Sequence, residues 1–505
     1  TVEIENIHRN LAMGKPLTRA ILDGAQQIAV PALVSTLCIC IVFVPVVFIT
    51  GAARSLFIPL ALAVVFAMLM SYVLSRTLVP TAARLLLGPE AEAHQHGQVS
   101  SNFFARLVRG FDRGFERMRD GYGRTLQFAL LHRAGFIALF ALFVAGSVAL
   151  FPLIGRDFFP SVDAGLIKLH VRGAAGTRIE ETEREVAKVE RAIREVIPPH
   201  EIAIMLDNMG MPPSGINLSL SEGALISPAD AQISISLKPE HQPTADYVAK
   251  LRKLLPERFP DKTFFFLAPD ISTQVLNFGL AAPIDVQVVG PVGQEDATLA
   301  LARSIEREVA KIPGAADVHL AQVPRGPQLR VNVDRSMAAQ NGLTQRDVAS
   351  DLLVSLSSSG QVAPNYWLDK RGVQYLVAVQ TPQFENGSLA ALDQTPLSLA
   401  QSGGSPQLLS NVGAIERTTG PVNITHYNVA RTFDVQANVA GTDLGSVASG
   451  VEQVLAKFQK NMPKGTKVTL QGQAASMASS FRGLSFGLCF AVLLVYLLLV
   501  VNFQS

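Results

Sequence analysis

The chain has 505 residues, 49% of them hydrophobic and only 17% charged, where a soluble domain carries about 25% charge. Lys and Arg number 43 against 41 Asp and Glu, and no basic block stands out, which excludes a nucleic-acid binder held by phosphate charge. The apolar content excludes disorder, three cysteines exclude a disulfide scaffold, and the length predicts two or more domains.

The chain starts at Thr1 without Met or signal peptide and stops at Ser505 just after an apolar run, so both ends read as cuts through a longer protein. Four segments read as membrane spans: 28–49, 56–79, 134–154 and 484–501. Each holds about 20 mostly apolar residues, enough to cross a bilayer. The charge in them is Arg76, near one end of the second, where a long side chain is expected to reach the interface. The connection 80–133 is rich in arginine (Arg84, Arg106, Arg109 and Arg113 among others), which marks it as cytoplasmic. That places 1–27 inside, 155–483 outside and the tail after Val501 inside. Within the connection, 103–124 alternates Phe, Leu and Val with Arg, the pattern of an interfacial helix or of a solvated helical linker.

The outer segment reads as repeated βαβ units. Strand 165–171, helix 177–197 and strand 201–206 form the first. Thr177 and Glu180 have capping-box spacing, and Ile179, Val186, Val189, Ile193 and Val196 make an apolar stripe. The pattern returns at 231–237, 243–258 and 263–267, again at 284–289, 294–312 and 317–321, and again at 432–439, 443–461 and 467–470. Paired units of this kind give ferredoxin-like α+β subdomains. A strand at 330–334 is assigned to the third unit, and 336–421, with a helix at 344–356 and Gly/Ser-rich turns, reads as an insertion.

Chemistry-bearing residues are sparse. The stretch 207–228 is long and rich in Gly, Pro and Ser, a mobile loop or a plain surface hairpin. Met205, Met209 and Met211 fit either soft metal ions such as Cu(I) or core filling. Cys38 and Cys40 face different directions on a helix and read as packing residues, and His94 and His96 sit in a polar linker. Pro31, Pro45 and Pro59 suit either bending or static kinks. No Phe, Tyr or Trp occurs between Phe159 and Tyr247, which argues against flat aromatic cargo. No nucleophile elbow, phosphate-binding loop or zinc-protease motif is present, so the chain reads as no enzyme and needs no resident cofactor.

Four stretches resemble resistance–nodulation–division (RND) efflux transporters of the acriflavine-resistance type. They are Glu5-Asn6-Ile7 with its surroundings, 43–61 with 77–80, 155–165 with 176–183, and 327–348. The resemblance implies an α-helical membrane bundle plus an α+β periplasmic domain of ferredoxin-like βαβ repeats with an inserted docking subdomain. The implied division is 1–154 for the end of the fourth span, spans five to seven and an inner interfacial helix near 99–124. Porter subdomains follow at 155–282 and at 283–335 with 431–475, a docking subdomain at 336–430 and the eighth span at 476–505. It further implies a proton-driven homotrimer in a bacterial inner membrane, working with a periplasmic adaptor and an outer-membrane channel. The expected cargo is small amphiphilic or hydrophobic compounds; the alternatives are heavy-metal ions or a non-pumping, membrane-anchored assembly module. By position, Asp207, Met209, Met211, Ser214 and Asn217 resemble a substrate-pathway loop. Arg54 and Asp157 depart from the family pattern. The proton-relaying acidic pair and its lysine partner are implied to lie before Thr1 and after Ser505, so no relay residue is assigned within the chain.

Overall fold

The computed structural model describes residues 2–95, 103–150, 154–159, 163–212, 223–277, 279–397, 406–460 and 462–503. Among these, four helical stretches are long and apolar enough to cross a membrane: Leu17–Phe48, Ala53–Leu87, Arg133–Leu150 and Gln473–Phe503. Helix α1 (Val2–Ala12) packs on α2 (Leu17–Ile41) through the fully buried Ile7 and Gly24. A Cβ on Gly24 would come within 3.0 Å of Ile7 Cγ1, so glycine permits this close helix contact. α2 runs through Pro31 and gives way to a 3₁₀ turn at Val44–Phe48, where Pro45 occupies the first turn, a position that needs no N–H donor.

α3 (Ala52–Gln95), α4 (Phe103–Leu131) and α5 (Arg133–Leu150) follow. α4 outlasts the predicted 103–124 by two turns, and α5 buries none of its residues, as a lipid-facing span would. Arg76, expected to reach the interface, is engaged by the neighbouring helices. Its Nη2 donates to Glu3 Oε2 at 2.6 Å and its Nη1 to the Ala25 carbonyl at 2.6 Å, tying α3 to α1 and α2.

The outer segment contains two antiparallel sheets of the same design. β1 (Leu166–Arg172), α6 (Ile179–Val196), β2 (Ile202–Met209), β3 (Asp230–Leu237), α7 (Thr244–Arg258) and β4 (Thr263–Phe266) build the first, in the order β2-β3-β1-β4. Alternation along β1 sends Ile167, Leu169 and Val171 to the helices, where they meet Val189 and Ile193 of α6 and Leu251 and Leu255 of α7. Each such fully buried side chain contributes about 1.5–3 kcal/mol. The predicted capping box at Thr177 does not form. Arg178 is the N-cap residue without a side-chain bond, and the Thr177 hydroxyl donates to Ala174 O instead.

After a short α8 (Ile271–Leu276), the second sheet begins with β5 (Ile284–Val289), α9 (Glu295–Val309) and β6 (Ala315–Leu320). The chain then leaves for an inserted body. Its strand β7 (Gly326–Val333) is followed by α10 (Arg335–Gln340), α11 (Gln345–Ser357), the hairpin β8 (Asn365–Leu368) and β9 (Gln374–Val377), α12 (Leu389–Asp393), β10 (Pro396–Leu397), β11 (Gln407–Leu408), α13 (Leu409–Val412) and β12 (Gly413–Gly420). β7 pairs with β12, Arg330 opposite Glu416, so the strand assigned to the third βαβ unit belongs to the insertion. The capping box of this region is Thr344 with Asp347, at the start of α11. Ala338, Leu343, Val348, Leu397, Leu409 and Val412 form its small core.

β13 (Thr425–Tyr427), β14 (Ala430–Val439), α14 (Leu444–Gln459) and β15 (Lys467–Gln471) return to the second sheet. Its order is β6-β14-β5-β15, the same as the first sheet, with β13 lengthening the edge beside β14. Val286, Val288, Phe433 and Val435 face Ile305 and Val309 of α9 and Val447 and Val451 of α14. α14 is capped by Asp443, which accepts from the Ser446 and Arg156 amides, while Asp157 accepts from Leu444 N. The shorter carboxylate at 157 thus anchors a helix start. α15 (Gln473–Phe503) leaves β15 after a single residue and continues unbroken as the last span.

Candidate functional site

The two sheets meet along a seam made by polar residues on their helix-free faces. On β1 the alternation that buries Leu169 and Val171 puts His170 and Arg172 on this other face. Register places Arg172 opposite Asp230 and His170 opposite Phe265. His170 Nε2 lies 3.0 Å from Asp230 Oδ1, and Arg172 Nε donates to the same oxygen at 2.7 Å. Ser227 Oγ donates to Oδ2 at 2.8 Å. Arg172 also reaches across the seam to the Ala321 carbonyl at 3.0 Å. The Phe265 ring is stacked between two imidazoles, His170 at 4.3 Å and His319 of β6 at 3.8 Å, so one aromatic sandwich spans both bodies.

Burial alone would raise the Asp230 carboxyl, but the His170 bond and the Arg172 charge overrule it and hold it down at about 2. Burial pushes His319 down to about 4, and it lowers His170 against the pull of Asp230. Both imidazoles are therefore neutral at physiological pH. His319 Nδ1 sits 2.7 Å from the Asp317 carbonyl, which only accepts, so Nδ1 carries the hydrogen and Nε2 keeps its lone pair.

A cleft of about 700 Å³ opens beside this stack, with Arg172 and His319 in its wall. Its arginines are each held by a carboxylate: Arg172 by Asp230, Arg303 by Glu306 at 3.2 Å and Arg325 by Asp296 at 3.2 Å. Among the described residues no Phe, Tyr or Trp lines it. Deeper in the seam, Asp285 and Asp434 share the helix-free face of the second sheet. Burial and then the Asp434 charge push Asp285 up to about 7; burial also raises Asp434, against its bonds from Gln322, Thr432 and Thr425.

Of the residues proposed for a substrate-pathway loop, the described ones, Asp207, Met209 and Met211, do not line this cleft. Asp207 and Met209 are not in a loop, because β2 extends to Met209, and Met205, Asp207 and Met209 share its more buried side. Met205 and Met209 pack against the first core. Asp207 is pushed up to about 6 by burial and by the neighbouring Glu190 carboxylate of α6. Met211 is 53% exposed. Ser214 and Asn217 lie outside the described residues. Two of the three thioethers thus serve the core, and among the described residues no group of three or more His, Cys, Asp or Glu is placed to cage a metal ion. The one sequence signal for the seam is Lys168-Leu169-His170-Val171-Arg172, which alternates apolar with ionisable side chains and so sets its polar residues on one face.

The profile of the AcrB/AcrD/AcrF family matches residues 1–505. The cobalt-zinc-cadmium resistance protein CzcA of Cupriavidus metallidurans is 25% identical over 100% of this chain and 46% of its own length. Protein HelA of Legionella pneumophila is 24% identical over 98% of this chain and 45% of its own. The chain thus spans about half the length of these curated relatives. Two crystal forms of a heavy metal efflux pump superpose with TM-score 0.69, covering 100% of this chain and 47% of that one, at 22% and 23% identity. That likeness is one of fold.

Proposed function

The chain belongs to the AcrB/AcrD/AcrF family of RND transporters, and from that membership we propose that it serves the proton-driven export of divalent heavy-metal cations across a bacterial inner membrane. The observation that carries the cargo is the match to a cobalt-zinc-cadmium resistance protein over the whole chain. It favours heavy-metal ions over the amphiphilic cargo expected from the sequence. A cleft walled by ion pairs and a neutral imidazole, with no Phe, Tyr or Trp among its described residues, supports a hydrophilic passenger over a flat, greasy one. In this reading the two sheet bodies rock as rigid units about their seam, cation passes through the cleft, and the inserted body meets the neighbouring components of a trimeric pump, an adaptor and an outer-membrane channel.

The test is tolerance, in a bacterium stripped of its own pumps, conferred by the protein expressed from its natural gene. Growth is scored with Co²⁺, Zn²⁺ and Cd²⁺ and, in parallel, a bile salt and a cationic dye, each with and without a proton uncoupler. Uncoupler-sensitive tolerance to the metals is expected. Protection against the organic compounds alone overturns the cargo, and protection that survives uncoupling overturns the proton drive.

A further inference from the structure

The helix-free face of the second sheet carries two carboxylates side by side. Register sets Asp434 of β14 opposite Gln287 of β5, and Gln436 opposite Asp285, so the four side chains adjoin on one face. All are buried: Asp285 is 1% exposed, Gln287 6%, Asp434 8% and Gln436 9%. Each carboxylate is fixed through one of its oxygens. Asp434 Oδ2 accepts from Gln322 Nε2 at 2.6 Å and from Thr425 Oγ1 at 3.1 Å, and Asp285 Oδ2 accepts from Gln287 Nε2 at 3.2 Å. The other oxygens, Asp285 Oδ1 and Asp434 Oδ1, are buried with no partner among the described residues, and so is Gln287 Oε1. Turning the Gln287 amide over would set oxygen against oxygen, so its donation to Asp285 leaves Oε1 free by necessity.

Neighbouring charges do not balance the pair. Arg172 is committed to Asp230 and to the Ala321 carbonyl. His319, opposite Gln436 on β6, is neutral. On β15 the residues opposite Asp285 and Gln287 are Gln471 and Thr469, while Lys467 stands opposite Val289 at the far end of the pairing. Two carboxylates together in such a dry setting are costly without a counter-charge. A shared proton would engage two of the three free oxygens, whereas a cation engages all three. Asp434 also lies in the wall of a cavity of about 190 Å³, with Gln322, Thr425 and His319. That is room for a few waters at about 30 Å³ each.

We propose that Asp285, Asp434 and Gln287 bind one hard divalent cation, Ca²⁺ in preference to Mg²⁺, as a resident ion of the second sheet rather than as cargo. The donors are oxygens alone, the set that hard cations take. Two carboxylates match the charge of a divalent ion. Three of its six to eight ligands, at about 2.3–2.6 Å, come from the sheet and the rest from cavity water. Donors placed by strand register suit Ca²⁺, which tolerates irregular shells, over Mg²⁺, which demands an octahedron. Three His, Cys, Asp or Glu side chains are not gathered here; a neutral amide oxygen supplies the third donor. The ion ties β5 to β14, the central pair of the sheet, and so stiffens the body that carries the last span. The inference goes beyond the metal-export reading and stands whether or not the protein moves Zn²⁺.

The test uses the full-length protein in detergent, stripped with a chelator and titrated by calorimetry with Ca²⁺, Mg²⁺ and Zn²⁺. One Ca²⁺ per chain is expected to bind, more tightly than Mg²⁺ or Zn²⁺, and to raise the thermal midpoint. Asp285→Asn and Asp434→Asn are each expected to lose both responses. Asp285→Asn also relieves the repulsion within the pair, so it is expected to stay folded with at least the midpoint of the stripped wild type. Gln287→Leu keeps both carboxylates and is expected to weaken Ca²⁺ binding by about tenfold or more. Ca²⁺ binding unchanged in the two aspartate variants overturns the proposal. Tighter binding of Zn²⁺ than of Ca²⁺ overturns it too, by making the pair a cargo site. A wild type that ignores Ca²⁺, while its stability still follows pH through the pair, overturns it by leaving a proton in the ion's place.

Discussion

Asp317 grips Arg252 with both oxygens across the seam of the two sheets, Oδ1 2.9 Å from Nε and Oδ2 2.7 Å from Nη2. The same Oδ2 accepts from Asn438 Nδ2 at 2.8 Å and from the Phe266 amide at 3.3 Å. One carboxylate of the second body therefore holds α7 and β4 of the first. It does so from a backbone with φ of +53°, a conformation that Asp and Asn tolerate better than most residues.

Replacing Asp317 by Asn keeps that backbone and removes the charge. Leaving Arg252 without its buried partner costs about 3–5 kcal/mol by the general behaviour of such pairs. The expected result is a lowered thermal midpoint in detergent and a broader distance distribution between spin labels placed on the two bodies. A midpoint like that of the wild type would show that the clasp contributes little.

Met205→Leu and Met209→Leu are volume-conserving changes in the first core, expected to cost less than about 1.5 kcal/mol. Leu169→Ala in the same core, at a fully buried position, is expected to cost about 2–5 kcal/mol. Denaturant titration checks both. Metal tolerance is expected to survive the two methionine changes together; its loss would make the thioethers ligands after all.

The pH response of the seam is a balance of opposed groups, imidazoles on one side and the raised Asp285 and Asp434 carboxyls on the other. His319 titrates near 4 in the folded protein against 6.5 when free. The unfolded chain thus takes this proton first, and stability is full above pH 6.5 and falls as pH drops toward 4, by on the order of 3 kcal/mol. His170, also lowered, acts in the same direction. Asp285, raised to about 7, acts in the opposite one, adding stability below pH 7 that is lost as pH rises. Relative to the wild type, urea titrations across this range should show less stability lost on acidification in His319→Gln and more in Asp285→Asn. An unaltered slope in the histidine variant would assign the sensitivity elsewhere.

Gly483 and Gly487 of α15 let the last span lie on the 3₁₀ turn at Val44–Phe48. A Cβ on Gly483 would stand 2.2 Å from the Phe48 carbonyl oxygen, and one on Gly487 would stand 2.6 Å from Pro45 Cα. Gly483→Ala is expected to lower the thermal midpoint in detergent, overpacking costing about 1–3 kcal/mol. Gly146→Ala on α5 meets nothing within 4 Å and serves as the neutral control.

Spans and βαβ units were legible because their signals are local: long apolar runs, and periods that switch between strand and helix over a few residues. Pairings between distant residues were not. Nothing near Arg330 reveals that Glu416 lies opposite it. Nothing near Arg76 points to Glu3, 73 residues earlier. Thr177 and Thr344 both carry capping-box spacing, and only tertiary placement decides that the second forms it. The Gly/Pro/Ser-rich run around it places Met209 in a loop, whereas the edge pairing with Ala231 of β3 extends the strand through it. The aromatic sandwich needs both sheets in place before His170, Phe265 and His319 can meet.

The unbroken helix from Gln473 to Phe503 makes the second sheet and the last span one lever. Its 31 residues give an arm of about 46 Å at the usual rise. The joint to the sheet is Gly472 alone, and a Cβ there would lie 2.7 Å from the Pro283 carbonyl oxygen, so the coupling has little slack. A tilt of the sheet by about ten degrees displaces the far end of a rod that long by about 8 Å. Mechanical work done on either side of the membrane surface is thereby delivered to the other along one continuous helix.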